Sequence, residues 1–390
     1  MKKITPLLLF SLSTMSFNAQ SFIQAYQNRA NMVSQTNITT NLQEFSNLGV
    51  KTTGSTANNN AFNWLKNKYL AFGYSANQIT EDPFTFSNKS SKNLIITKIG
   101  TTYPDKYVII CGHFDSINGP GVNDNGSGTS IILEAARILK DVPTEYSIKF
   151  IHFSGEEQGL IGSDHYVNNV VYQNNVKQLD IKVVFNLDQV GGKISNNNNT
   201  IYCDQDMAGV SSNNAASAAV TQQLRNCTQL YSPLLTDVDP AEDTDYIPFE
   251  ERGEVITGFF EKIRSNLPHT VNDTFANTDP VYIFNVGKAS VGALQHFAVA
   301  TSSLLKTEES MAKNPLESIK LYPNPVKDTL NIELPNDIKN FNFEITDLSG
   351  RSLLKAENET KINVSTLKKG VYLGVIKSND KTAVRKILIK

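Results

Sequence analysis

Through roughly the first three quarters of the chain, short apolar runs alternate with stretches in which apolar residues return every three or four positions. The strongest run, residues 107–112 (YVIICG), is almost unbroken, as a strand covered on both faces requires. Residues 147–153 (SIKFIHF), 181–187 (IKVVFNL) and 254–260 (EVITGFF) share that character, and 82–86, 93–98 and 201–203 read as further strands. Helical spacing occupies 21–48, 61–73, 128–139, 161–168, 213–230 and 281–305, and the second of these ends on Gly73, a common helix stop. Residues 49–59 (GVKTTGSTANN) read as a turn-rich loop, 237–245 as an acidic loop and 266–279 as a polar loop. Strands and helices in alternation predict an α/β fold, a mixed, mainly parallel sheet with helices on both faces.

The pattern changes at Lys306. Residues 306–315 are charged and poor in apolar groups, which predicts a linker. From 316 to 390, short alternating strands separated by turn residues predict a small all-β sandwich. At the other end, residues 1–20 (MKKITPLLLFSLSTMSFNAQ) have a basic start, a short apolar stretch and a polar end with small residues. That is the pattern of a secretory signal peptide, with cleavage near Ala19 or Gln20. Its apolar stretch is too short to span a bilayer, and no stable membrane span is expected elsewhere. The expected organisation is therefore a leader over 1–20, an α/β domain over 21–305, a linker over 306–315 and a β-sandwich over 316–390.

Composition narrows this a little. With 390 residues, 40% of them hydrophobic, the chain has material for one large core and one small one. A formal net charge of -2 gives no basis for a nucleic-acid partner. Three cysteines do not make a disulfide framework. Cys111 lies in the central strand; Cys203 and Cys227 are able to pair in an oxidising compartment if their geometry allows it.

The candidate chemistry sits where the core strands end. His113 follows the first, Glu156 and Glu157 follow the second, and Asp188 follows the third. Asp124 lies in the Gly- and Asn-rich loop before the helix at 128, and His269 in the late polar loop. In an open α/β sheet these ends face one crevice, and His, Asp and Glu converging there are metal-site chemistry. Singly, each has a plainer reading. Asp115 suits a turn cap, Glu156-Glu157 a solvated acidic turn, Asp188 a helix cap, and His269 a solvated loop histidine. Together they allow more. Asp115, two residues past His113, is placed to accept its ring N–H. Of two adjacent glutamates, one can bind metal while the other acts as a general base. His152, in a strand, and His165 and His296, in helices, are expected to be structural.

Five strings occur in order: GHFDS (112–116), GVNDNGSGTS (121–130), SGEEQGLIGS (154–163), NLDQVG (186–191) and PHTVNDT (268–274). They resemble the zinc exopeptidases of the bacterial leucine aminopeptidase family, over about 21–305. The resemblance implies two zinc ions, one held by His113 and Asp188, the other by Glu157 and His269, with Asp124 bridging. It implies Glu156 as general acid/base and Asp115 as the carboxylate that orients His113. The activity it implies is a secreted metallo-aminopeptidase acting on peptides with a free N-terminus, and a monomer is expected. A carboxypeptidase or dipeptidase, or a glutaminyl cyclase (typically a one-zinc enzyme), is an alternative on the same scaffold. A non-catalytic binding protein would have lost a ligand or the base, and none is missing. The chain departs from the pattern at Tyr246, where many relatives have His, and at Pro268, where some have Tyr; Tyr246 is therefore a candidate for stabilising the tetrahedral intermediate. LYPNPVKDTLNIEL, ITDLSGRSLL and LKKGVYLGVI, within 316–390, resemble the sorting domain of type nine secretion. That implies export by the type nine machinery, to the medium or the cell surface. The alternative, a sugar- or surface-binding β-domain, lacks clustered aromatics.

Overall fold

The apolar run at 107–112 lies within an eleven-residue strand at the middle of an eight-stranded sheet. The computed structural model describes residues 20–302, 319–334, 338, 340–347, 351–378 and 381–390. Nearly all of the expected leader, the linker, and residues 303–305 of the expected last helix lie outside the described residues. The first unit contains, in order, α1 (Gln24–Ala30), α2 (Gln35–Asn47), α3 (Thr56–Ala71), β1 (Ile79–Phe86), β2 (Lys89–Lys98), β3 (Tyr103–His113), α4 (Gly128–Leu139), β4 (Tyr146–Phe153) and α5 (Ile161–Tyr166). A two-residue hairpin, β5 (Tyr172–Gln173) and β6 (Val176–Lys177), leads to β7 (Asp180–Leu187) and β8 (Thr200–Gln205). Then follow α6 (Asn214–Tyr231), β9 (Leu235–Pro240), α7 (Ile247–Glu250), β10 (Ile256–Glu261) and α8 (Pro280–Phe297).

The sheet order is β1-β2-β4-β3-β7-β10-β8-β9. The four central strands β4, β3, β7 and β10 run parallel, as do β8 and β9; the joins of β1 with β2, β2 with β4 and β10 with β8 are antiparallel. Residues alternate in facing along β3. Val108 and Ile110 enter the core under α2, α3, α4 and α8, while Ile109 and Cys111 enter the core on the opposite face with Tyr166 and Phe249. Burial on both faces explains why the run shows no period of two. His113 pairs with Phe153 and Cys111 with Asn186, so the chain leaves β3, β4 and β7 at one edge of the sheet.

Four elements differ most from the pattern reading; the helix expected over 281–305 ends at Phe297, and the other three lie earlier in the chain. The helical stretch over 21–48 breaks at 31–34, where the Ser34 side chain caps α2 by accepting the Asn37 N–H. The loop over 49–59 ends early, because Ser55 accepts the Asn58 N–H and starts α3 inside a polar run. The acidic loop over 237–245 is, in its first part, the edge strand β9, paired with β8. None of its residues is buried, so backbone pairing holds it and no apolar alternation marks it. Cys203 and Cys227 are buried free thiols. Among the described residues, no helix is long and apolar enough to cross a membrane.

The second unit, from Lys306 on, is all β among its described residues. One sheet joins β11 (Lys320–Tyr322), β12 (Thr329–Glu333) and β15 (Lys361–Asn363); the other orders β13 (Asn342–Thr346), β14 (Ser352–Glu357), β16 (Gly370–Ser378) and β17 (Lys381–Ile389) as β14-β13-β16-β17. Ile332 and Ile362 of the first sheet share a core with Phe343, Ile376 and Ile387 of the second, the packing of a sandwich.

His152 and His296 are core groups. His152 is fully buried and bonds the Tyr69 hydroxyl at 2.8 Å; His296 bonds the Tyr231 hydroxyl at 2.8 Å. Burial pulls His152 down to about 3 and His296 down to about 4. A free histidine titrates near about 6.5, so below that pH the unfolded chain binds more protons and each group's stabilisation is lost with acid. Wild type should therefore lose its advantage over His152→Gln, which cannot titrate, by about 1.4 kcal/mol per pH unit between about pH 6.5 and 4.5. Urea unfolding of both proteins across that range checks this; a constant gap between them refutes it.

Candidate metal centre

Each ligand candidate hangs from a sheet edge by a short irregular segment. His113 is the last residue of β3 and is fully buried. The following loop turns at Gly121, whose φ of +61° and lack of a Cβ are both required: a Cβ there would lie 2.4 Å from the Asp124 carbonyl oxygen. Asp124 stands in the tight turn 122–127 ahead of α4. Glu156 and Glu157 begin a single 3-10 turn after β4, entered through Gly155 at φ +84°. Asp188 directly follows β7, and His269 lies in the loop between β10 and α8.

These groups meet in two triads. His113 Nε2 is 3.1 Å from Asp124 Oδ1 and 3.4 Å from Asp188 Oδ1. His269 Nε2 is 3.0 Å from Asp124 Oδ2 and 2.9 Å from Glu157 Oε2. Asp124 thus gives one oxygen to each set. Glu156 belongs to neither, and its Oε2 stands 3.8 Å from His113 Nε2. Metal ions fit this arrangement. Four ligands at about 2.0–2.1 Å around a tetrahedral zinc are about 3.3 Å apart, close to the spacings above. His113 Nε2 and Asp188 Oδ1 are also buried without a hydrogen-bond partner, a state that calls for one.

The electrostatics agree. Burial acts to lower His113, but the charges of Glu156 and Asp188 outweigh it and raise it well above the usual range. Burial pushes Glu156 up to about 10 and, with the Asp124 charge beside it, Glu157 up to about 8. The bond to Asp124 raises His269 to about 9. Burial opposes ionisation of Asp124, yet the two flanking imidazoles hold it at about 2. A crevice that holds protons this way exchanges them for divalent cations, because ligands bind metal deprotonated.

The expected partners lie close to these positions, with some differences. His113 Nδ1 is 3.7 Å from the Asp115 carboxylate and 3.3 Å from the Asp115 backbone carbonyl, the nearer acceptor. The carboxylate accepts the N–H groups of Glu156 and Glu157, both at 3.3 Å, and the Thr53 hydroxyl at 3.2 Å. Asp115 therefore joins the histidine segment to the glutamate turn. Tyr246 points away. It is fully buried, its hydroxyl donates to Asp204 at 3.0 Å and accepts the Glu242 N–H at 2.6 Å, and it is not available to a reaction intermediate. Its neighbour Thr244 donates to Asp188 Oδ2 at 2.7 Å, and Gln189 donates to Asp124 Oδ2 at 3.3 Å. No pattern in the sequence marks Thr53, Thr244 or Gln189 for these bonds, although Gln189 lies within NLDQVG beside Asp188.

Residues 93–293 match peptidase family M28. The chain belongs to that family. Residues 320–390 match the secretion system C-terminal sorting domain, so the second unit is a sorting module. Among curated relatives, the aminopeptidase YwaD of Bacillus subtilis (strain 168) is 46% identical over 109 residues, 27% of this chain and 23% of that protein. Leupeptin-inactivating enzyme 1 of Streptomyces exfoliatus is 28% identical over 234 residues, 57% of this chain and 48% of that protein. The matched stretch thus spans between about a quarter and a half of these relatives' length. In fold, the M28 chain is similar to the LapA aminopeptidase of Legionella pneumophila, with a TM-score of 0.61 at 19% identity over 78% of this chain and 81% of that one. It is also similar to the glutaminyl cyclase of Macrostomum lignano, with a TM-score of 0.60 at 14% identity over 77% and 97%.

Metal content tests this geometry. If each triad holds an ion and Asp124 serves both, His113→Ala and His269→Ala should each bind one metal ion fewer than wild type, and Asp124→Ala should weaken both. Equilibrium dialysis with elemental analysis measures this, and a histidine variant that keeps the wild-type stoichiometry removes that residue from the ligand set.

Proposed function

We propose that this M28 chain is a secreted two-zinc aminopeptidase that removes the first residue of peptides. The observation that carries the reading is the pair of triads sharing Asp124, with the unshared carboxylate of Glu156 at their edge. His113 and Asp188 would hold one ion, Glu157 and His269 the other, and Asp124 both. Zinc, when bound, supplies a Lewis acid for the scissile carbonyl and lowers the pKa of a water towards neutrality.

The remaining work falls to side chains. Glu156 takes the proton of the attacking water and returns it to the departing amine, a role open to a carboxylate that binds no ion itself. The Glu156 and Glu157 N–H groups both rest on Asp115, which fixes the base relative to its metal-binding neighbour. The surrounding carboxylates favour an amine, and a free peptide N-terminus is the amine that would confine cleavage to the first bond. The likeness to a glutaminyl cyclase concerns the fold alone and does not separate that chemistry from hydrolysis. Export is read from both ends: the leader over 1–20 would pass the inner membrane, and the sorting module would direct the chain through the type nine machinery to the medium or the cell surface.

Glu156→Gln should keep zinc and lose about 10²–10⁴-fold in kcat. Unblocked peptides should be cleaved from the first residue, N-acetylated ones should not, and a chelator should stop the reaction. Mass spectrometry of the products decides it: release from the other end selects a carboxypeptidase, and near-normal turnover by Glu156→Gln removes the general base.

A further inference from the structure

Asp124 is the ligand that both triads need, yet no regular element holds it. It lies in a turn where its own backbone (φ -110°, ψ 91°) and that of Asn125 (φ -130°, ψ 47°) are non-helical. Its main-chain N–H therefore has no helical ladder to join. The partner comes from a distant loop. Asp273 accepts the Asn123 N–H on Oδ1 at 2.7 Å and the Asp124 N–H on Oδ2 at 3.0 Å, and its own carbonyl accepts the Val122 N–H at 3.3 Å. Three consecutive N–H groups thus end on one residue, which is 1% exposed.

Asp273 is also four residues beyond His269. Its N–H reaches the Thr270 carbonyl at 3.1 Å, and the Thr270 N–H reaches the Leu267 carbonyl at 3.1 Å, so Asp273 and His269 belong to one folded-back loop. The opposing loop packs tightly there: a Cβ on Gly119 would lie 1.9 Å from the Thr270 carbonyl oxygen. One buried carboxylate therefore fastens the segment carrying the shared ligand to the segment carrying a ligand of one triad. We propose that Asp273 is a positioning residue that sets the bridging geometry of Asp124 by fixing its main chain relative to His269. The carboxylate is needed because two adjacent N–H groups converge on it. An asparagine would meet one N–H with its oxygen and face the other with its own amide hydrogens.

The inference rests on the two-ion reading of the site and not on its substrate, so the test reads metal. The metal-free full chain is titrated with zinc against a chromophoric chelator, and with cobalt by visible absorption. Wild type should take up two ions. Asp273→Asn should bind at least one of them about 10–100-fold more weakly, with an altered cobalt spectrum. Its metal-free thermal midpoint should stay close to that of metal-free wild type, a readout that a general folding role would move. Should Asp273→Asn not be recovered folded, Asp273→Glu, which keeps the charge on a longer stem, replaces it with the same expectation. Wild-type affinity for both ions in the variant overturns the proposal. So does loss of the metal-free fold in both variants, which would make Asp273 a support of the whole domain. A wild type that binds one ion or none overturns the two-ion reading itself, and the positioning role with it.

Discussion

Carboxylates crowded into a buried crevice repel one another, so the segments that carry them must be held in place by bonds from outside the set. The site resolves this with a second set of buried acids aimed at main-chain N–H groups. Asp115 takes those of Glu156 and Glu157, and Asp273 takes those of Asn123 and Asp124. Glu261, at the end of β10, accepts the Asn123 side-chain amide and the N–H groups of Gly192 and Ser265. Through these three residues the loops after β3, β4, β7 and β10 become one assembly. Most of these bonds fall on the backbone, while of the ligand candidates Asp188 and Asp124 also accept from Thr244 and Gln189.

A buried cation completes the outer set. Lys51 is fully buried, its ammonium donates to the Gly49 carbonyl at 2.9 Å and to that of Pro120, and it lies 3.9 Å over the Phe45 ring. Burial pulls it down to about 7, against the opposing pull of the Asp273 and Asp115 charges. Its own N–H reaches the Ser116 hydroxyl at 3.0 Å. The stretch over 49–59 is thus structural on its buried side: Lys51 holds the loop between His113 and Asp124, and Thr53 holds Asp115.

That inner and outer division explains what the sequence made legible. Core strands over 107–112, 147–153 and 181–187 could be read because burial on both faces demands largely apolar residues, and the candidate ligand chemistry then appears within four positions of each end. The outer acids leave no such trace. Asp273 works through main-chain N–H groups 149 and 150 positions away, and Glu261 through those of Gly192 and Ser265, groups that any sequence supplies. Tyr246 differs for another reason. Its place where many relatives have His suggested the crevice, but α7 starts at Ile247 and turns the ring into the core with Tyr166 and Phe249. The edge strand β9 escaped notice because it buries no side chain.

The two triads differ in a way that bears on how a substrate could enter. His113, Asp124 and Asp188 are buried on the sheet side, whereas the His269 side chain is 52% exposed and its backbone is held at φ +59°. His269 therefore stands on the open flank, while the shared carboxylate of Asp124 is itself buried. The buried flank is also where Thr244 bonds Asp188 and where Asp115 ties down the glutamate turn. Rigidity on the buried flank thus follows from hydrogen bonds to the loop backbones, while His269 stands on the open flank.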